Sequence, residues 1–132
     1  MGYVNYWTPE NVHEKFSKDF IKYVKKIISE SGVPIKNHMG NADADPIITQ
    51  KRIAFNGLDD SGHEAFVLFP RGLSRSFCKT NRKPYDIVVK AILMLAEQCG
   101  YISNWRFDGE EDEQEYVDAK KLYDSVMLGM DL

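Results

Sequence analysis

Between Ile87 and Ala96 every residue but one is apolar, and the exception is Lys90. A helix over this stretch is apolar around nearly its whole circumference, which is the pattern of a helix enclosed on all sides. Pro84 suits the opening turn and Gly100 the stop. The rest of the chain must therefore supply layers that cover a central helix. The 132 residues fit one ordinary domain, whose usual size is about 100–150 residues. Seven Phe, seven Tyr and two Trp within a 43% hydrophobic share give enough apolar material for a core without a disulfide or metal staple.

The covering elements are read from periodicity and punctuation. Thr8-Pro9-Glu10-Asn11 has the form of a helix start, with a hydroxyl cap, Pro and an acid. Val12, Phe16, Phe20, Tyr23, Val24, Ile27 and Ile28 follow at three- and four-residue spacing, and Gly32 is the stop. Lys15, Lys18, Lys22, Lys25 and Lys26 fall mostly off that stripe. Residues 33–46 read as a loop. Ile47 to Phe55 and Glu64 to Phe69 read as two strands of an antiparallel hairpin, joined through the turn pairs Asn56-Gly57 and Ser61-Gly62. Tyr101 to Phe107 is the third predicted strand, and an acid-rich start leads into a last helix from about Glu111 to Leu128. The expectation is a single α+β domain over residues 1–132 in the order α-β-β-α-β-α. It has a small antiparallel sheet, a central buried helix and two flanking amphipathic helices.

A net charge of −3 and a pI near 5.6 argue against a protein that coats nucleic acid through its overall charge. No run of about 18 apolar residues is present to span a membrane, and the first residues lack the basic and apolar regions of a signal peptide. Cys78 and Cys99 flank the central helix, which at ~1.5 Å per residue separates them too far for a bridge. Two reduced thiols fit a cytoplasmic protein.

The segment before the central helix is the chemical anomaly. Arg71, Arg75, Lys79, Arg82 and Lys83 place five cations in thirteen residues with no acid among them. Cations at a helix N-terminus oppose its dipole, so Arg75, Lys79, Thr80, Arg82 and Lys83 are candidates for holding an anion. The acidic run Asp108 to Glu115 is the alternative partner for that charge. Neither P-loop nor dinucleotide glycine spacing is present. Cys78 lies among these cations, which would favour its thiolate, and His63 is the candidate base. A small buried thiol and a solvated loop histidine are the structural alternatives. Asp86 stands three residues after Lys83, so it is expected to reach back as a capping carboxylate, with Tyr85 at the edge of the core. His38 to Asp45 and Asp59-Asp60…His63-Glu64 match neither EF-hand nor zinc spacing. No metal and no cofactor are expected.

The stretch Phe77-Cys78-Lys79-Thr80-Asn81-Arg82-Lys83-Pro84-Tyr85-Asp86, with Gly62-His63-Glu64 before it and Phe107-Asp108-Gly109 after it, resembles a group of small bacterial and phage proteins with no assigned activity. The resemblance covers about residues 56 to 128. It implies a bacterial or phage origin and supplies no catalytic residues.

The expected function is that of a non-enzymatic cytoplasmic binding or accessory protein using the basic segment, with a host protein or an anionic ligand as partner. Tyr3, Tyr6, Trp7 and Trp105 are candidate contact aromatics. The alternative is a small enzyme acting on an anionic substrate with Cys78 and His63. Binding of nucleic acid alone is a third reading, opposed by the acidic pI.

Overall fold

The computed structural model describes residues 3–37, 44–71 and 76–130. Its strands and α-helices follow in the order β1 (Val4–Pro9), α1 (Lys18–Ser31), β2 (Ile35–Lys36), β3 (Ile47–Ile48), β4 (Ile53–Gly57), β5 (Phe66–Leu68), β6 (Phe77–Lys79), α2 (Asp86–Gln98), β7 (Ile102–Phe107) and α3 (Gln114–Met130), with a 3-10 turn at Asp59–Ser61 between β4 and β5. The α+β class and the central buried helix are as expected. The predicted elements occur in their predicted order, with strands β1, β2 and β6 added. The run predicted as one strand from Ile47 to Phe55 is divided into β3 and β4 by a turn in which Thr49 and Arg52 exchange backbone hydrogen bonds. The predicted hairpin is present, as β4 pairs antiparallel with β5 through Ile53–Leu68, Ala54–Val67 and Phe55–Phe66.

The N-terminal helix start is corrected. Thr8 and Pro9 end a strand, and α1 begins at Lys18. Its cap is Ser17, whose hydroxyl accepts from the Phe20 amide at 3.0 Å, and Gly32 closes it in the left-handed region at φ 70°. Val12, placed on the apolar stripe by spacing, is 70% exposed. Phe16, Phe20, Val24 and Ile27 are buried as expected.

Strand β1 is the centre of a three-stranded antiparallel sheet in the order β6-β1-β7. Val4, Asn5 and Tyr6 lie opposite Lys79, Cys78 and Phe77 on β6. On the other side, Asn5 and Tyr6 lie opposite Phe107 and Arg106. The register then slips by one residue before Thr8–Ser103, a bulge in which Asn104 adopts a positive φ of 53°. Side chains alternate across a strand, so Tyr3, Asn5, Trp7 and Cys78 point inward and are buried, whereas Val4, Tyr6, Phe77, Lys79 and Arg106 point outward. Helix α2 is enclosed: Val88, Val89, Ala91, Ile92, Leu93 and Ala96 have no exposed surface, and neither does Lys90.

Candidate functional site

The sheet has two faces, and each places a distinct group of polar and aromatic side chains. On the inner face, Asn5 of β1, Thr80 just beyond β6, and Asp86 and Lys90 of α2 are all fully buried. Asp86 Oδ1 accepts from Asn5 Nδ2 at 2.8 Å and from Thr80 Oγ1 at 2.5 Å. Its Oδ2 meets Lys90 Nζ at 2.9 Å, one helical turn away. Lys90 also donates to Asn5 Oδ1 at 3.1 Å, and its ammonium lies 4.3 Å and 4.5 Å from the ring centres of Tyr3 and Phe107. Burial holds Lys90 below the ordinary lysine range, with Asp86 opposing that shift. Each charge therefore has its counter-charge and hydrogen-bond partners, the condition for a tolerated buried ion pair.

Asp86 is structural, as expected, but by a different route. The predicted reach back to the Lys83 amide is replaced by bonds to Asn5, Thr80 and Lys90, and the capping position of α2 is Tyr85. A carboxylate at the first residue of α2 meets the positive end of the helix dipole from within the chain. Thr80, a candidate anion ligand, donates its hydroxyl to that carboxylate and has no exposed surface.

The basic segment divides between paired and open charges. Arg82 binds Glu113 at 2.7 Å and Glu115 at 2.9 Å, and its guanidinium lies 4.2 Å from the centre of the Tyr3 ring. These two hydrogen-bonded acids raise the Arg82 pKa, and Arg82 in turn lowers that of Glu113. The acidic run thus folds back on the segment at one residue. Arg71 pairs with Glu14. Lys79 is exposed and Lys83 half-buried, and Arg75 lies outside the described residues.

Of the two catalytic candidates, Cys78 is enclosed and His63 is exposed. Cys78 has no exposed surface, and its thiol points at the carbonyls of Glu64 and Ala65, at 3.5 Å and 3.7 Å. That makes it the buried thiol of the structural reading. Tyr85 is fully buried, and its hydroxyl donates to the Glu64 carbonyl. His63 is exposed and its backbone belongs to a closed loop: Asn56 donates to the His63 carbonyl at 2.9 Å and accepts from the His63 amide at 3.1 Å. A Cβ on Gly62 would lie 2.6 Å from the Gly57 carbonyl oxygen, so this loop is packed backbone to backbone. Among the described residues no group of three or more His, Cys, Asp and Glu side chains is placed to hold a metal ion. Cys78 and Cys99 are not joined in a disulfide, and no described helix is long and apolar enough to cross a membrane.

On the outer face, Phe77, Tyr6 and Arg106 form a row across the three strands, each paired in register with its neighbour. Phe77 is 46% exposed, large for an aromatic. The Arg106 guanidinium lies 5.3 Å from the Tyr6 ring centre. Lys79 lies one outward position along β6, beside Val4. Asp108 closes the row, accepting from the Val4 amide at 2.9 Å, and burial together with the Asp108 charge raises the Tyr6 hydroxyl pKa. Of the expected contact aromatics only Tyr6 faces outward. Tyr3 and Trp7 are buried, and Trp105 stacks with Tyr116 against the core. Phe77 and Arg106 were missed as site residues because their role depends on β1 pairing between two distant strands. No family model, curated protein or solved structure matches this chain.

Proposed function

We propose that this chain is a non-enzymatic cytoplasmic binding protein of bacterial or phage accessory type, whose partner seats on the outer face of the β6-β1-β7 sheet. The observation that supports this reading is the row Phe77–Tyr6–Arg106, held in register across three strands, with Phe77 and Arg106 exposed and Tyr6 half-buried between them. Tyr and Arg are enriched among residues that carry binding energy, and a half-exposed Phe beside them adds apolar area to the contact. Lys79 brings part of the basic segment onto the same face. On this reading the anion-binding role belongs to Lys79 and Arg106.

An enzymatic role for Cys78 would need an accessible thiolate with a base in reach, and the enclosed thiol above argues against it. Its reactivity separates the readings. Cys78 should react with a thiol reagent only after denaturation, and rapid native labelling of Cys78 would restore the enzymatic alternative. For the binding reading, Phe77→Glu with Arg106→Glu should abolish capture of a partner that the unmodified chain retains, while its melting curve stays unchanged. Equal recovery of the same partner by both proteins would remove the outer face from the account.

A further inference from the structure

We infer that the outer face of the three-stranded sheet binds single-stranded nucleic acid, with bases stacking on Tyr6 and Phe77 and phosphates meeting Lys79 and Arg106. The inference rests on the binding role proposed for this face and names its ligand. Tyr6 and Phe77 are directly opposite on neighbouring strands, and paired strands lie about 4.8 Å apart. Two rings on adjacent strands of an open sheet are a platform for successive unpaired bases, and such stacking is tolerant of sequence because every base has a π-face.

Cations stand on both flanks of the rings. Arg106 lies beyond Tyr6 on β7, and Lys79 lies two residues from Phe77 on β6. The acids beside these residues are held by backbone amides, Asp108 by that of Val4 at 2.9 Å and Glu64 by that of Lys79 at 3.1 Å. Among the described residues the face is a short sheet with no projecting helix to enter a duplex groove, which favours unpaired bases over base pairs. The net charge of −3 supplies no long-range attraction, so affinity must come from stacking with few phosphate contacts. A small salt dependence follows. Two phosphate contacts on a single strand predict a slope of about −1.4 in log affinity against log salt, from roughly −0.7 per contact.

The test is fluorescence anisotropy with labelled oligothymidylate and oligouridylate of about fifteen nucleotides, long enough to cross one small binding face. Saturable binding is expected at low salt, with the duplex of the same length bound more weakly. Tyr6→Ala and Phe77→Ala should each weaken it roughly tenfold, and Lys79→Gln with Arg106→Gln should flatten the salt slope. The DNA and RNA arms then say which strand is preferred. No saturable binding in either arm at low salt, or binding that none of these substitutions changes, would overturn the inference. If oligonucleotides fail to bind while Phe77→Glu with Arg106→Glu still abolishes partner capture, the face binds a protein, and only the nucleic-acid assignment falls.

Discussion

The two faces of the β6-β1-β7 sheet use similar residue types to opposite ends. On the inner face a Lys, an Asp, an Asn and a Thr are sealed from water, and each meets a partner within the chain. On the outer face a Lys, an Arg and a Phe stand exposed beside a half-buried Tyr. Neighbouring residues on one strand fall on either side of this divide, as Cys78 is enclosed and Phe77 is 46% exposed. Charge and aromaticity alone therefore do not mark a site. What separates the faces is the burial of charge: Asp86 and Lys90 are enclosed and paired with each other, whereas Lys79 and Arg106 are exposed.

The largest expected effect lies on the inner face. Asp86→Ala or Lys90→Ala leaves a buried charge without its partner and should cost about 3–5 kcal/mol of stability, read from urea unfolding. The double substitution Asp86→Leu with Lys90→Met should recover a large part of that loss, because no buried charge remains. If either single variant unfolds at the same urea concentration as the unmodified chain, the inner network is not structural.

A smaller effect is expected at the clasp between the faces. Arg82→Gln removes two solvent-screened ion pairs, so only a small loss of stability is expected. The pH dependence has a definite sign. Glu113 is held below its ordinary value by Arg82, so the unfolded chain binds more protons in that window. The clasp's contribution is present at neutral pH and is lost as pH falls through the folded-state value. The gap in melting temperature between Arg82→Gln and the unmodified chain should shrink on acidification, and a gap that widens would contradict this assignment.

The smallest effect belongs to the outer face. Phe77→Ser should change stability by no more than about 0.5 kcal/mol, as expected for a surface substitution away from packed features. A larger loss would mean that Phe77 supports the fold and is not held out for a partner.

Much of this architecture was legible in the sequence. The apolar run Ile87 to Ala96 announced an enclosed helix, and Gly32 and Gly100 marked helix ends. Strand β1 was hidden because Thr8-Pro9-Glu10 imitates a helix start and because residues 3–8 lack the apolar–polar alternation that marks a strand, with polar Asn5 among the buried positions and Val4 among the outward ones. Losing β1 also concealed both faces of the sheet. Asp86 and Lys90 carry the i, i+4 spacing of a helical ion pair, but Asn5 and Thr80 join them only through pairing between distant strands. Spacing likewise did not show that Arg82 turns toward Glu113 and Glu115, since that depends on how the segment before α3 returns to β1.

The central claim is that the outer face binds and the inner face only supports, and residues 77 and 78 test it most directly. Phe77→Glu and Cys78→Ala are compared with the unmodified chain for partner capture at temperatures where all three remain folded. Capture should be lost with Phe77→Glu and kept with Cys78→Ala. Capture kept by Phe77→Glu and lost with Cys78→Ala would contradict the account and move the function to the thiol.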